Sequence, residues 1–285
     1  MPRTSDRVAL DDWYAVESAA SLSAVPLRTR LLGEAITLLR DANGAALARD
    51  EAGASLAVLE SYGLIFVTLG APTRPLVHIA EAQEQDRRVI PCGWTTIRAS
   101  GLRLVENFLD MAHFPFVHAD ILGAEPHTEV VHYPSAIRRD VDEVWATGCR
   151  FWQPRAAATD ETGTLMEIDY RVTSPFIVML YRFAPSAPHR RDSIALFIQP
   201  LEEALCRAQP VMWLVDAIST HSAMLHFEQV IFRQDRIIVE NQRPLTLPLD
   251  PRHEIPTRAD SSSVAYRRWL KERGLRFGTF EGRGA

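Results

Sequence analysis

Cysteine is scarce in this chain, and its few cysteines lie far apart. The 285 residues include 3 cysteines, Cys92, Cys149 and Cys206, and none belongs to a CxxC pair. An odd number of isolated cysteines argues against a disulfide framework and against a structural zinc site. Such a composition is typical of the reduced cytosol, so we expect a cytoplasmic protein.

Long apolar runs and an excess of positive charge are also missing. The apolar runs fall far short of the roughly 20 residues that a membrane helix needs, and the first residues carry no apolar signal core. The formal net charge is -5 and the isoelectric point is near 6.0. Because no basic surface is expected, we predict neither a nucleic-acid partner nor a membrane partner.

The apolar fraction is 47%, which is enough for a sizeable core, and the patterns divide the chain in two. Up to residue 85, short strand-like segments alternate with turn signals such as residues 41–44. Beyond residue 86, residues 165–172 alternate as a half-buried strand does, and residues 220–242 predict a long helix. We predict an α+β protein with domains at 1–85 and 86–285.

The densest set of chemically capable side chains lies between residues 106 and 118. Asn107, Asp110 and His113 follow one another at intervals of three, which places them on neighbouring surface of a helix. His118 comes five residues after His113, and Pro115 between them predicts a break in the helix. A broken helix end could bring both imidazoles onto one metal ion.

A metal site of this kind needs a carboxylate from elsewhere in the chain. Two imidazoles and one carboxylate leave one face of an octahedral iron open for O2 and a substrate. Asp110 would then accept the second ring N–H of a ligating histidine and fix its tautomer. Asp235 and Glu240 are both candidates for the ligand, because each lies in an apolar helical segment where a lone charge is costly. The residues alone leave this choice open.

These motifs resemble those of a known family. Residues 107–118 resemble the iron-binding helix of the catalytic α-subunits of Rieske non-haem iron oxygenases, in the branch of the vanillate and methylxanthine demethylases. Residues 234–242 resemble the segment that supplies the third ligand, which puts that ligand on Asp235 and leaves Glu240 in a supporting role. The resemblance implies iron held by His113, His118 and Asp235, with Asn107 and Asp110 serving the reaction. Framework segments similar to the family's N-terminal Rieske domain stand at residues 13–16, 31–34, 39–44 and 60–66.

The resemblance also implies a fold and one departure from it. The expected fold is the remnant of a Rieske-type β domain, followed by a helix-grip (START-like) catalytic domain with an antiparallel sheet and a long helix. A Rieske [2Fe–2S] cluster needs two Cys-His pairs. Residues 49–56, which stand where family members carry those pairs, contain neither cysteine nor histidine. We therefore predict a mononuclear Fe(II) and no [2Fe–2S] cluster in this chain.

Without its own cluster, the chain would need electrons from another protein. In this respect it resembles the cluster-less methylxanthine N7-demethylases of bacterial caffeine degradation. They are served by an NADH-dependent, Rieske-containing reductase and a glutathione S-transferase-like scaffold protein. The resemblance implies oxidation of the N7-methyl group of 7-methylxanthine to give xanthine and formaldehyde, in a trimeric or hetero-oligomeric assembly. A planar purine needs flat apolar walls and a few polar groups, for which the candidates are Ser222, Leu225, Gln229, Phe176 and Trp213.

Three other functions fit parts of the pattern. A non-catalytic scaffold subunit could keep the oxygenase fold, although it would have no need for the whole set of metal-site residues. An aromatic O-demethylase or hydroxylase component would use the same iron site. A 2-oxoglutarate-dependent dioxygenase draws a histidine and a carboxylate from an HxD pair on a strand. His118, Ala119 and Asp120 spell such a pair, but they follow a helical segment and Pro115.

Overall fold

Two large antiparallel sheets, formed one after the other along the chain, organise the computed structural model, which describes residues 4–155, 157 and 163–280. A short helix, α1 (Arg7–Leu10), precedes the first sheet, and the side chain of Asp6 caps it. The strands of the first sheet are β1 (Tyr14–Ser18), β2 (Leu27–Leu31), β3 (Glu34–Arg40), β4 (Ala46–Asp50), β5 (Ser55–Ser61) and β6 (Leu64–Thr68). Their spatial order is β1-β6-β5-β4-β3-β2.

Tight hairpin turns connect the strands of this sheet. Leu32 and Gly33, between β2 and β3, both have positive φ, and so do Tyr62 and Gly63 between β5 and β6. Two such residues form the turn whose twist matches that of the flanking strands. Between β4 and β5 the side chain of Asp50 accepts a hydrogen bond from the backbone of Ala54, which closes that turn as well.

The second sheet is longer and carries the predicted alternation. Its strands are β7 (Arg88–Pro91), β8 (Thr95–Ile97), β9 (Ser135–Arg138), β10 (Glu143–Gln153), β11 (Thr164–Ser174), β12 (Ile177–Ala184), β13 (Ala187–Glu202) and β14 (Leu205–Leu214). The order is β7-β14-β13-β12-β11-β10-β9, and β8 also pairs with β14. In β11 the side chains of Met166, Ile168, Tyr170 and Val172 are buried while those between them are half-buried, as the sequence predicted.

Four helices of the described chain lie with the second sheet. They are α2 (Gly101–Leu109), α3 (Phe114–Val117), α4 (His221–Val239) and α5 (Ser261–Arg273). Ser100 and Thr220 each accept a backbone N–H in the first turn of α2 and α4, which is how these side chains favour helix starts. A parallel pair of two-residue strands, β15 (Leu247–Pro248) and β16 (Thr279–Phe280), lies near the C-terminal end of the described chain. No helix among the described residues is both long and apolar enough to cross a bilayer.

The two sheets share a core. The hairpin between β2 and β3 binds the far end of β13, because Leu32 and Gly33 donate their N–H groups to the carbonyls of Pro200 and Leu201, each at 2.8 Å. Buried residues from both sheets and from α2 and α5 form one apolar cluster. The antiparallel α+β architecture with a long helix after the second sheet confirms the predicted fold class. The strands of the first sheet end at Thr68 and those of the second begin at Arg88, and the boundary at 85/86 stays a prediction.

Candidate metal centre and substrate cavity

The chain leaves the helical conformation between Asn107 and His118, the segment predicted to bind the metal. Helix α2 ends at Leu109, and Asp110 follows with an extended backbone. Helix α3 then begins after His113 and ends at Val117, just before His118, so the two histidines flank a single helical turn. Pro115 lies in the first turn of α3, where its missing N–H costs nothing. The predicted break therefore precedes Pro115 and is not caused by it.

Three side-chain atoms from two parts of the chain meet at one point. The Nε2 atoms of His113 and His118 are 3.2 Å apart. Asp235, on α4, places its Oδ1 atom 2.9 Å from Nε2 of His118 and 3.3 Å from Nε2 of His113. Within the described ranges, these residues are the one group of histidine, cysteine and acidic side chains spaced to hold a metal ion.

Hydrogen bonds at the Nδ1 atoms of the two histidines leave the lone pairs of their Nε2 atoms directed toward this point. Nδ1 of His113 donates to Oδ2 of Asp110 at 3.0 Å, and Nδ1 of His118 donates to Oε1 of Gln234 at 2.9 Å. With Nδ1 protonated on each ring, a neutral imidazole presents Nε2 as an acceptor. When both rings are neutral, two ring nitrogens and a carboxylate oxygen face one another without a proton between them. Such an arrangement needs a shared cation.

The spacing of the three atoms fits a metal of octahedral preference. Ligands at adjacent corners of an octahedron, each about 2.1 Å from the metal, lie about 3.0 Å apart. The observed separations of 2.9, 3.2 and 3.3 Å correspond to three mutually adjacent corners, which form one face. Two histidines and one carboxylate on a face are the ligand set of non-haem Fe(II) oxygenases. The residues present therefore fit an iron ion.

Local electrostatics also favours positive charge at this point. Burial works against the imidazolium of His113, but hydrogen bonds to Asp110 and Asp235 outweigh it and raise the pKa of His113 to about 9. Burial would raise the pKa of Asp235, yet its contacts with His113 and His118 lower that pKa to about 2. The carboxylate of Asp235 is thus ionised at neutral pH and attracts a cation, whether a proton or a metal ion.

A cavity of about 750 Å³ extends from this centre between the second sheet and α4. Its walls are largely apolar. Helix α4 contributes a stripe of side chains spaced three and four residues apart, which places them on one helix face with Asp235. The stripe consists of Met224, Phe227, Glu228, Ile231 and Phe232. Strands β11 to β14 supply the opposite wall, including Tyr170, Leu180, Ile194 and Met212.

A few buried polar groups interrupt the apolar lining. Asn107 lies near the histidines and is 8% exposed. The hydroxyl of Tyr170 and Oε1 of Gln153 are buried without a hydrogen-bond partner among the described residues. Asp192 and Arg182 also line the cavity, with 3.8 Å between Oδ2 of the first and Nε of the second. Unpartnered polar atoms in an apolar cavity are suited to orienting a bound molecule.

The five side chains that the sequence suggested for the substrate lie elsewhere. Phe176 packs against Tyr14, with ring centroids 5.6 Å apart, and Trp213 packs against Tyr62, among buried residues that include Phe66 and Phe197. On α4, Gln229 donates to the carbonyl of Cys92 at 2.9 Å.

The two remaining candidates lie on the same helix, and neither contributes to the lining. Ser222 is exposed, and Leu225 packs beside the cluster around Ile90. The physical reason is the rotation of α4, because Leu225 is one position and Ser222 two positions away from Met224, the first residue of the cavity-facing stripe. The sequence signal for the correct face was the seven-residue spacing between Glu228 and Asp235, which is two helical turns.

The other acidic candidates are separated from the centre. Glu240 follows α4 and accepts hydrogen bonds from the backbone N–H of Arg98 and from Arg236, both at 3.0 Å. It thus ties the end of α4 to the chain before α2. Asp120 is exposed and has positive φ, outside any described strand. The HxD pair therefore does not have the setting on a strand that a 2-oxoglutarate-dependent site requires.

Comparison with known proteins agrees with this geometry. Residues 97–276 match the family described as the vanillate O-demethylase oxygenase C-terminal domain. The probable methylxanthine N7-demethylase NdmC of Pseudomonas sp. (strain TJI-51) is 45% identical over 96% of this chain and 97% of its own.

Solved structures show the same fold. NdmB of Pseudomonas putida CBB5 superposes with a TM-score of 0.74 at 20% identity, covering 95% of this chain and 93% of its own. NdmA from the same strain, with caffeine bound, gives 0.73 at 18% identity, covering 91% and 89%. The family match over more than half of the chain, together with the relative at 45% identity, shows that this protein belongs to the Rieske non-haem iron oxygenase family.

Proposed function

We propose that this chain is the catalytic component of an N-demethylase that acts on 7-methylxanthine and yields xanthine and formaldehyde. It uses O2 and an iron ion held by His113, His118 and Asp235. Electrons come from NADH through a separate reductase that carries a Rieske domain. The chain itself holds no [2Fe–2S] cluster.

The observation that carries this proposal is the position of the three ligand atoms. Nε2 of His113, Nε2 of His118 and Oδ1 of Asp235 are spaced like three ligand atoms on one face of an octahedron. They lie at the edge of a largely apolar cavity. His118 is 1% exposed, so little solvent reaches its side chain. A substrate in the cavity would bring its methyl group next to the remaining face of the iron.

The relatives support a purine substrate. The relative at 45% identity is named a probable methylxanthine N7-demethylase, and a solved structure of NdmA contains caffeine. A flat bicyclic molecule fits a cavity with aromatic walls, here supplied by Phe108, Phe227 and Phe232. The unpartnered hydroxyl of Tyr170 is suited to a purine carbonyl.

The chemistry asks little of the protein beyond positioning. When bound, iron supplies the O2 activation that inserts one oxygen atom into a methyl C–H bond, with two electrons and two protons taken up and one water released. The N-hydroxymethyl product then breaks its own C–N bond, releases formaldehyde and leaves N–H on the ring. The chain's residues hold the methyl group at the centre and exclude bulk water with the apolar lining.

The first sheet supports the proposal that electrons come from a partner. Members of this family work with a reductase and as oligomers. In this chain the connection between β4 and β5 closes in a short turn through Asp50 and Ala54, and residues 49–56 offer no Cys-His pair. Asp110 is 27% exposed at its side chain while bonded to His113, which suits a path for electrons from outside. A glutathione S-transferase-like scaffold protein would complete the assembly.

The test combines metal analysis with turnover. Protein purified anaerobically from the native host should contain iron without acid-labile sulfide and should copurify with a Rieske-bearing partner. With that partner, NADH and O2, it should convert 7-methylxanthine into xanthine and formaldehyde in equal amounts. Turnover supported by 2-oxoglutarate alone, or sulfide in this chain, would contradict the proposal. Unchanged activity of the complex after His113→Ala would instead indicate a scaffold subunit.

A further inference from the structure

Glu228 is a buried acid in the cavity that the iron site does not use. It lies on the cavity face of α4 and is 9% exposed. In the part of the chain that the structure describes, its carboxyl group makes no hydrogen bond and no close ion pair. Burying a carboxylate without such a partner is costly, whereas an apolar side chain at this position would cost nothing. Met224 and Ile231, one turn away on either side, are apolar.

Charged groups near Glu228 shift its pKa without forming a hydrogen bond to it. Burial raises the pKa of Glu228 to about 7, Arg182 and His118 act to lower it, and Asp235 acts to raise it further. Arg182 lies on β12 across the cavity and is also 3.8 Å from Asp192. The carboxyl group lines the cavity and is available to a bound molecule, and an N–H donor there would favour its charged form.

The position of Glu228 along α4 fits the far end of a bound purine. Glu228 precedes Asp235 by seven residues, which corresponds to two turns on the same face and about 10.5 Å along the helix axis. An iron ion held by His113, His118 and Asp235 would lie at the Asp235 end of this interval. A purine whose N7-methyl group approaches the iron extends its pyrimidinedione ring toward Glu228. The apolar side chain of Ile231 lies between the two acids and would contact the face or edge of the rings.

We propose that Glu228 is a specificity-determining residue that accepts a hydrogen bond from an unmethylated N–H of the xanthine pyrimidinedione ring. This inference rests on the proposed function and adds a reason for substrate choice. 7-Methylxanthine carries N–H groups at N1 and N3, whereas caffeine carries methyl groups at both positions. A methyl group facing Glu228 would leave the carboxylate unpartnered and would crowd it.

The size of the effect follows from the kind of hydrogen bond. A hydrogen bond to a charged acceptor contributes about 1.5–3 kcal/mol, which corresponds to about 10- to 100-fold in affinity. Sites that hydrogen-bond a substrate N–H discriminate strongly against an analogue that lacks it, because the polar group of the site is then left unpaired. We expect the wild-type protein to bind 7-methylxanthine at least 10-fold more tightly than caffeine.

The experiment measures binding and needs no partner reductase. Dissociation constants of iron-loaded, anaerobic protein for 7-methylxanthine and caffeine are obtained by titration calorimetry for wild type, Glu228→Gln and Glu228→Leu. Glu228→Leu should weaken 7-methylxanthine binding about 10- to 100-fold while caffeine binding stays equal or improves. Glu228→Gln, which keeps a neutral acceptor, should fall between. Glu240→Gln is the matched control, because it neutralises an acid just after the same helix but outside the cavity, and it should behave as wild type.

Each outcome of the titrations either supports or overturns the role of Glu228. Selective loss of 7-methylxanthine binding, with iron content and melting temperature retained, supports the inference. Equal weakening for both ligands, or no change for either, overturns the role of Glu228 and leaves the demethylase proposal standing. If the wild-type protein binds neither methylxanthine, the proposed function fails, and the inference that rests on it fails too.

Discussion

Two clusters of buried charge lie against α2, and they are built on opposite principles. The first, which we call the ion network, consists of Arg103, Glu106, Glu254 and Arg267. The second is the metal centre, formed by His113, His118, Asp235 and the supporting Asp110. In the ion network, Arg103 contacts Glu106 at 3.3 Å and Glu254 at 2.6 Å, and Arg267 contacts the same two acids. Two positive charges thus meet two negative ones.

The metal centre lacks this balance. Its two carboxylates, Asp110 and Asp235, face only imidazoles, and no arginine or lysine bonds to them within the described residues. The ion network is satisfied by the chain itself and is closed to any ligand. The metal centre is satisfied only by an added cation, and it opens on a cavity. Buried charge that the chain leaves unbalanced is therefore the mark of function here, and balanced buried charge is the mark of structure.

The largest effect that separates the two clusters should come from His118→Ala. This change removes one of three ligand atoms and the 2.9 Å contact with Asp235. Loss of an outer partner of a ligand already costs roughly 10- to 100-fold in metal affinity, so loss of a ligand should cost more than about 100-fold. Iron content and formaldehyde formation should fall to background while the circular dichroism spectrum stays that of the folded protein. Iron retained at wild-type affinity would contradict the assignment.

Arg103→Met should have the converse effect, on stability and not on iron. The side chain of Arg103 is 2% exposed, and its removal leaves Glu106 and Glu254 sharing a single cation, Arg267. Removing one partner from a buried ion pair costs about 3–5 kcal/mol, and we expect about 3 kcal/mol here because Arg267 remains. Urea denaturation measures the loss. Arg138→Met, in an exposed pair with Asp140, is the control and should leave the free energy of unfolding nearly unchanged.

The local part of the metal centre could be predicted from the sequence, whereas the cavity could not. Asn107, Asp110, His113 and His118 lie within twelve residues of one another, and a motif of this length is visible without knowledge of the fold. The position of the helix break was predicted at Pro115, yet the chain departs from the helix at Asp110. Nothing in the composition of residues 105–118 marks that point, since the extended conformation of Asp110 is stabilised by its bonds to Ala112 and His113.

The choice of Asp235 over Glu240 and the lining of the cavity depend on long-range packing. Both acids lie near the end of the same helical segment, and only the contact between α4 and α3 decides which one reaches the histidines. Two of the substrate candidates lie outside the lining for the same reason, because Phe176 packs against Tyr14 and Gly101 of α2 and Trp213 packs against Tyr62. Strand alternation was reliable in β11, where local pattern and burial agree. Within α4 the cavity-facing side was marked only by the spacing of Glu228 and Asp235.

The smallest of these effects, and the sharpest test of the comparison, should come from Gln234→Leu. Gln234 carries no charge and touches no metal, yet its Oε1 accepts the Nδ1 proton of His118 at 2.9 Å and so keeps Nε2 free to bind. Without that acceptor the ring can hold its proton on Nε2 or rotate, and iron affinity should fall about 10- to 100-fold. Competition with a chelator measures this, and Gln234→Glu should restore affinity because a carboxylate accepts the same proton. Unchanged affinity in Gln234→Leu would mean that the orientation and tautomer of His118 do not depend on Gln234. The metal centre would then resemble the ion network more than we infer, because its own groups would hold one another in place without a neighbouring side chain.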